Sequence, residues 1–478
     1  MLGKIYENSR QTAGGSELFM SIVDGEKSLV VSGKGGVYDR FLGVEADIGG
    51  APAKICRLSH VNAKVINELF PFTRPSSHKG RAISVGLGDR LGLASPGHIR
   101  LVRDMDVFPV LAQQSVRELS LTGRTFDDVL AAAVWAVFQE NYQKGWGADG
   151  DHLKTAAEVR MALECGVTMI TLDCSEHIRN DVAAMGGGQL NALYDQLPAN
   201  QRAAYEAGYL GKTFAVEPEG GAAVVFGEAE LKRIVLTYGA AIGHTAAVYG
   251  DIVAGCGRPV DFELSIDETL SATSPAAHFF VGSELMKRGV ECVSLAPRFC
   301  GEFQKGIDYI GDTDEFRRDF ALHAKIARYF GYKISVHSGS DKFRVFPIIR
   351  RESGGAYHLK TAGTNWLEAL RIIAEKAPGV FRELVKFALA NLNEAKRYYH
   401  ITENTANIPD VGGIPDADLP GLLDQDDSRQ ALHVTYGQVL SVKREGKYAF
   451  RDGIYYILER YEDEYYAALE KHIGRHLV

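Results

Sequence analysis

The feature that most constrains this chain is an alternation. Short apolar runs recur between residues 82 and 362, and amphipathic helical stretches separate most of them. The runs are AISVGLG (82–88), VFPVLA (107–112), GWGA (145–148), VTMITLD (167–173), VDFELSI (260–266), VECVSLA (290–296), KISVHS (333–338) and AYHLKTA (356–362). Between them, FDDVLAAAVWAVFQENY (126–142) places apolar residues at i, i+3, i+4 and i+7, and DEFRRDFALHAKIARYF (314–330) is a second amphipathic helix. Eight strands alternating with helices predict an α/β protein built on a (β/α)8 barrel of the TIM type. GWGA is the weakest of the eight strands, and the competing arrangement is a doubly wound open sheet.

The flanks divide the chain further. Residues 1–80 hold strand signals at SLVVSG (28–33) and AKICRL (53–58) and a helical stretch over Val61–Phe70, so a small N-terminal α/β domain is expected. PFTRPSSHKG (71–80) then has the composition of a linker. The barrel is expected over 81–376, with a helical insertion at 178–258 after strand 4. Residues 377–478 are expected to form a helical extension packed on the barrel.

Composition excludes several classes. Apolar residues make up 46% of the 478, enough for a large core, and a net charge of −8 gives no reason to expect a nucleic-acid partner. The N-terminus has no apolar signal-like segment, and the longest helix-like apolar run, Val129–Phe138, is too short to span a bilayer. Six cysteines with no CxxC pair fit buried thiols in a reducing, cytoplasmic setting. The sequence leaves a homo-oligomer open. GKGG (33–36) and MGGGQ (185–189) lack the spacing of a dinucleotide fingerprint, so no NAD is expected.

In a barrel, chemistry belongs at the carboxyl ends of the strands. Those ends carry Asp89 and Arg90; Gln113, Gln114 and Ser115; Asp149, Asp151 and His152; Asp173, Glu176 and His177; Glu263, Asp267 and Glu268; Arg298 and Glu302; His337; and His358 with Lys360. Charged groups directly after so many apolar strands predict a catalytic rim. Histidines and carboxylates drawn from different strands suit one divalent cation of the Zn, Mn or Ni type. Two ligand sets compete: His152, Glu302 and His337, or Asp173 and His177 with His337. Asp173 can equally act as an N-cap. The loops SGSDK and KTAGTNW after the last two strands, with Asp341, Lys342 and Lys360, are candidates to receive an anionic group.

GLGDRLGLASPGH, PVLAQQSVREL, GADGDHLK, FELSIDET, RFCGEFQKGIDY, ISVHSGSDKF and HLKTAGT together resemble the tagaturonate/fructuronate epimerase family, from about residue 83 to HVTYG at 433–437. The resemblance implies a metal-dependent isomerase of hexuronate catabolism that interconverts D-tagaturonate and D-fructuronate. It implies His152, Glu302 and His337 as metal ligands, Asp151 as proton acceptor and Glu263 as proton donor. Gln113, Arg298, Asp341, Lys342 and Lys360 remain candidates to bind substrate, and Asp173 and His177 second-rank metal candidates.

Counted from the CH2OH end, the ketone is carbon 2, the inverted centre carbon 4 and the carboxylate carbon 6. The hydrogen on carbon 4 is alpha to neither carbonyl, so enolisation cannot invert that centre. Cleavage and re-formation of the bond between carbons 3 and 4, a metal-assisted retro-aldol/aldol sequence, is therefore expected over transient oxidation by NAD. A metal-dependent aldolase of sugar acids and a non-catalytic sugar-acid binding protein are the alternatives.

Overall fold

In the computed structural model, which describes residues 2–217 and 221–477, the predicted alternation closes on itself. The N-terminal segment comes first: β1 (Leu2–Ala13), β2 (Ser16–Val23), β3 (Glu26–Ser32), β4 (Val44–Ile48) and β5 (Ala51–Arg57), followed by a helix over His60–Leu69. The five strands form one antiparallel sheet in the order β1-β2-β3-β5-β4. The expected small α/β unit is thus a meander-like sheet with a single helix.

The barrel strands are β6 (Ile83–Leu87), β7 (Phe108–Ser115), β8 (Gly147–Leu153) and β9 (Met169–Asp173). After the insertion, whose only strands among the described residues are the short pair β10 (Thr213–Ala215) and β11 (Ala223–Val225), come β12 (Asp261–Ile266), β13 (Ser294–Pro297), β14 (Lys333–Val336) and β15 (Tyr357–Thr361). All eight run parallel, in sequence order, and β15 pairs with β6 to close the ring. The open-sheet alternative is excluded. The helices predicted at 126–142 and 314–330 are Phe126–Glu140 and Thr313–Phe330. Each starts at a side-chain cap, Thr125 and Asp312, which satisfies amides the first turn leaves unpaired.

Two boundaries differ from expectation for physical reasons. The strand expected at 145–148 continues to Leu153, so Asp149–His152 lie within it. Their polarity reads as loop in sequence because they point into a charged interior. The stretch 71–80 is no free linker either. Ser77 Oγ donates to Asp261 Oδ1 at 2.6 Å, the His78 amide donates to Asp261 Oδ2 at 2.5 Å, and His78 lies buried near Met169 and Lys333. This segment caps the amino end of the barrel.

Alternation along each strand sorts its side chains. Leu172, Leu264, Val336 and Leu359 are buried in the hydrophobic core around the barrel, while Thr171, Glu263, Ser335, His358 and Lys360 are equally buried but polar. Barrel interiors are usually filled with branched apolar residues. Here much of that position is ionic, which demands pairing. Among the described residues, no helix is long and apolar enough to cross a membrane.

Candidate active site

A cavity of about 480 Å³ opens at the carboxyl ends of the strands. At its floor is Lys360 of β15, 4% exposed. Its Nζ lies 2.8 Å from Asp149 Oδ2, 2.6 Å from Asp151 Oδ1 and 3.0 Å from Glu263 Oε1. Thr171 joins the network, donating to Asp149 Oδ2 at 2.9 Å. Burial alone would lower the Lys360 ammonium, but the three carboxylates outweigh it and hold it well above its ordinary value. Burial also raises each carboxyl. For Glu263 the Lys360 and His337 charges win and hold it well below its ordinary range, and for Asp151 His152 and Lys360 do the same. Asp149 differs: burial dominates and pushes it up to about 6.

The two histidines stand above this floor, each steered by one carboxylate. His152 Nδ1 is 2.7 Å from Asp151 Oδ1, and His337 Nε2 is 2.8 Å from Glu263 Oε1. Their ring centroids are 4.8 Å apart. In strict alternation, His152 would face away from Asp151. Instead the β8–β9 register slips between Gly150 and Leu153, and His152 adopts φ 52°, so Asp151 and His152 both line the cavity. A bulge re-aims the side chain, at a cost of about 1–2 kcal/mol for a non-glycine left-handed residue. Ser338, just after His337, is also left-handed, at φ 50°.

The carboxylate that meets the two histidines is Asp267, which follows β12. Ligand atoms of His152, Asp267 and His337 lie within 4.8 Å of one another, with Asp267 Oδ1 3.3 Å from His337 Nδ1. That buried nitrogen makes no well-formed hydrogen bond. Burial would lower His337, but Asp267 and Glu263 outweigh it and lift the ring to about 10. The surroundings therefore favour positive charge at this spot. Two histidines whose other nitrogens rest on carboxylates, plus one aspartate, are a donor set that fits a divalent cation.

The remaining sequence candidates separate. Glu302 lines the same cavity from the loop after β13, but its side chain is 47% exposed and turned toward His400, 3.9 Å away. It does not meet the histidines in this structure. Asp173 and His177 do not join them either: Asp173 Oδ1 accepts from the Ser175 amide at 2.8 Å, although Cys174 and not Asp173 is the N-cap of the short turn Ser175–His177, and His177 stacks on His244 at 4.0 Å. Gln113 lines the cavity, with a buried Oε1 lacking a hydrogen-bond partner. Arg298 lines it too, with one guanidinium nitrogen donated to the Thr269 carbonyl.

Two expected substrate contacts, Lys342 and Asp341, need correction. Lys342 is fully buried and donates to the carbonyls of Gln304, Ile307 and Ser340 at 2.8, 2.6 and 2.8 Å, so it pins the loop after β13 and has no donor left over. Asp341 is held by Arg429, Thr364, His472 and His476, outside the cavity. Lys360 reaches the cavity, but three carboxylates already surround its ammonium. Sequence reasoning missed Lys305, His433 and the tyrosines Tyr398 and Tyr399, which line the cavity from segments distant in sequence. Lys305 stands inside the quoted motif RFCGEFQKGIDY, where a cation beside the Glu302 loop was the available signal.

A closed parallel barrel with linked carboxylates and histidines at the carboxyl ends of its strands defines a barrel enzyme equipped for proton transfer on a polar substrate. The model of the tagaturonate epimerase family matches residues 6–478, so the N-terminal sheet, where no motif was recognised, is part of the match. The chain belongs to the tagaturonate epimerase family and is an isomerase. It is 40% identical over 475 residues to the tagaturonate/fructuronate epimerase of Thermotoga maritima, covering 99% of this chain and 96% of that protein. The native crystal structure of fructuronate-tagaturonate epimerase UxaE from Cohnella laeviribosi is 49% identical, with a TM-score of 0.96 over 99% of this chain and 96% of that one. The same enzyme complexed with one glycerol gives the same identity and TM-score, over 99% and 95% of the two chains.

Proposed function

We propose that this enzyme interconverts D-tagaturonate and D-fructuronate by inverting carbon 4, and that Asp151 and Glu263 move the protons. The observation that supports this best is that both carboxylates pair with Lys360, Asp151 lining the cavity and Glu263 buried beneath it, each beside a different histidine that lines the cavity. One carboxylate takes the proton of the carbon 4 hydroxyl. The bond between carbons 3 and 4 opens, the aldehyde fragment turns, and the bond re-forms on its other face. The new oxygen then points the opposite way, and the second carboxylate returns a proton there. Both groups are ionised while Lys360 and the histidines face them, and each must carry a proton in one half of the cycle; substrate entry, which displaces water, favours that protonation.

His152 and His337 are the residues that would hold a divalent cation, with a carboxylate as third ligand. Asp267 stands at that place, and Glu302, which the family motif implies, faces the same cavity. Such a cation would supply Lewis acidity toward the ketone end of the substrate. Elemental analysis of Asp267→Asn and Glu302→Gln assigns the third position.

The test of function is proton NMR of purified enzyme with tagaturonate, with and without chelator. Fructuronate should appear, and chelation should stop it. Substrate deuterated at carbon 4 should keep its label and show only a small secondary isotope effect, because the C–H bond at carbon 4 never breaks. Label loss to solvent, or a primary effect with bound nicotinamide, contradicts the carbon–carbon cleavage route. Six unpaired cysteines support a reducing, cytoplasmic setting.

A further inference from the structure

The cavity has two electrostatic ends. Its floor is acidic, with Asp149, Asp151 and Glu263 gathered around Lys360 and Asp267 beside His337. Its other wall carries Arg90, Arg117, Arg298 and Lys305. Those cations are not equivalent. Arg90 is paired with Glu118 at 2.9 Å and stacked on Tyr436. Arg298 is donated to a backbone carbonyl. Arg117 lies at the exposed rim over Tyr399. Lys305, like Arg117 and Arg298, has no carboxylate oxygen within salt-bridge distance among the described residues, but it is neither held by a backbone carbonyl nor exposed at the rim; its one hydrogen bond goes to Ser338 Oγ at 2.8 Å. Burial, with Arg90 and Arg117 nearby, depresses its ammonium, and the more distant charges of Glu118 and Glu268 do not offset this.

A second observation points to a ligand at the same wall. His433 is 1% exposed, and both of its ring nitrogens lack partners. Burial, with the nearby charges of Arg90 and Lys305, keeps the ring uncharged. The space for it exists because residue 363 is glycine: a Cβ there would lie 1.8 Å from His433 Nε2. Gly363 opens the helix Gly363–Lys376, so free amides of a helix start face the same region. A buried, unpaired polar side chain beside an uncompensated cation is costly unless something binds between them.

We propose that Lys305, assisted by the neutral ring of His433, anchors the substrate's carboxylate and sets the enzyme's preference for sugar acids over neutral ketoses. The inference rests on the epimerase reading above. Register supports it. Ser338 follows His337 directly, so Lys305 sits one residue from a histidine of the reacting end. The carboxylate lies two carbons beyond the carbon that inverts. A sugar acid spanning the cavity would put its ketone end at the histidines and its charged end at the lysine. The arrangement also explains Lys342: its bonds to the carbonyls of Gln304 and Ile307 fix the 304–307 loop that carries Lys305.

The test compares wild type, Lys305→Met, Lys305→Arg and Arg117→Ala on D-tagaturonate and on D-tagatose, which has CH2OH in place of the carboxylate. Turnover is followed by NMR and affinity by calorimetry. Lys305→Met should lose roughly 10- to 100-fold in kcat/KM and in affinity for tagaturonate, mainly through KM, the scale of one charge-assisted hydrogen bond. Its affinity for tagatose should hold. Lys305→Arg should recover part of the loss, and Arg117→Ala should do little. Equal losses on both sugars, no loss, or a loss confined to Arg117→Ala would overturn the anchor. Failure of the wild-type enzyme to convert tagaturonate overturns the epimerase reading itself, and the anchor with it.

Discussion

Among the described residues an aspartate and two histidines gather in two places, and one of the two looks like chemistry. At the barrel mouth are His152, Asp267 and His337; behind the loop after β14 are Asp341, His472 and His476. By residue type and spacing the two are interchangeable. They differ in how far their atoms are already used. Asp341 accepts from Arg429 at 2.8 Å, Thr364 at 3.1 Å and His472 at 2.5 Å. His476 Nε2 accepts from the Asp341 amide at 2.9 Å, and its Nδ1 donates to the His472 carbonyl at 3.2 Å. Burial pushes His476 down to about 4, so the ring is neutral as that pattern requires. At the mouth, by contrast, one buried nitrogen of His337 lacks a proper partner, and both rings face a cavity. A closed set of hydrogen bonds holds two segments together, whereas an incomplete one has room for a ligand.

Substitutions in and around the two clusters press this contrast, in decreasing order of expected effect. His337→Ala should abolish bound metal and turnover together while the fold persists. The loss should exceed the roughly 100-fold that removing an outer partner of a metal-bound histidine costs. His476→Ala should leave the metal content, measured by elemental analysis, unchanged. Metal loss from the second variant and not the first would reverse the assignment of the two clusters.

Asp151→Asn and Glu263→Gln come next. Each should lose about 10²- to 10⁴-fold in kcat, the usual worth of a positioned proton-transfer group. Each should keep most of its metal, because an amide still accepts or donates at the histidine nitrogen. Near-normal turnover in either variant removes that residue from the mechanism.

Asp341→Asn should act on stability alone. Removing one charge from a buried ionic cluster costs about 3 kcal/mol, read as a lower denaturation midpoint with metal content unchanged. A drop in kcat larger than the loss of folded protein would mean that the cluster reaches the site.

These contrasts also mark what the sequence could carry. Strand order and barrel closure were legible because apolar runs and amphipathic helices alternate on a local scale. His152 and His337 were legible as rim residues because each stands near the carboxyl end of its strand, whereas Glu263, the third residue of β12, was singled out by the family resemblance. The fates of Lys342 and Asp341 were not, since their partners sit up to 135 residues away and the choice between a backbone carbonyl and a substrate is made only on folding. Asp267 was visible at the end of its strand, but its approach to His337 depends on the curvature of the barrel. The bulge at His152 left no trace in sequence, because nothing in GADGDHLK signals that a register slip turns two consecutive side chains inward.

The smallest effect tests whether the C-terminal helix serves as a clamp at both of its ends. The helix Glu462–Gly474 bears His472 in its last turn and Glu462 at its start. Glu462 accepts from Lys4 at 2.9 Å, Lys27 at 2.8 Å and Tyr6 at 2.7 Å, all from the N-terminal sheet. Burial raises this carboxyl, but Lys27 and Lys4 outweigh it and bring it down to about 2 from an ordinary 4.5. A carboxyl depressed by folding contributes stability that is present in full above its unfolded value. That contribution is lost as pH falls through the folded value, so the window runs from about 4.5 down to about 2. Wild type should therefore exceed Glu462→Gln in unfolding free energy by at most about 3 kcal/mol at pH 7. The gap should narrow steadily between pH 5 and pH 3 in denaturant titrations, while activity at pH 7 stays equal. A gap that does not change with pH would assign Glu462 to shape and packing, leaving Asp463, with Lys4 at 2.7 Å, as the ionic tie between the start of this helix and the N-terminal sheet.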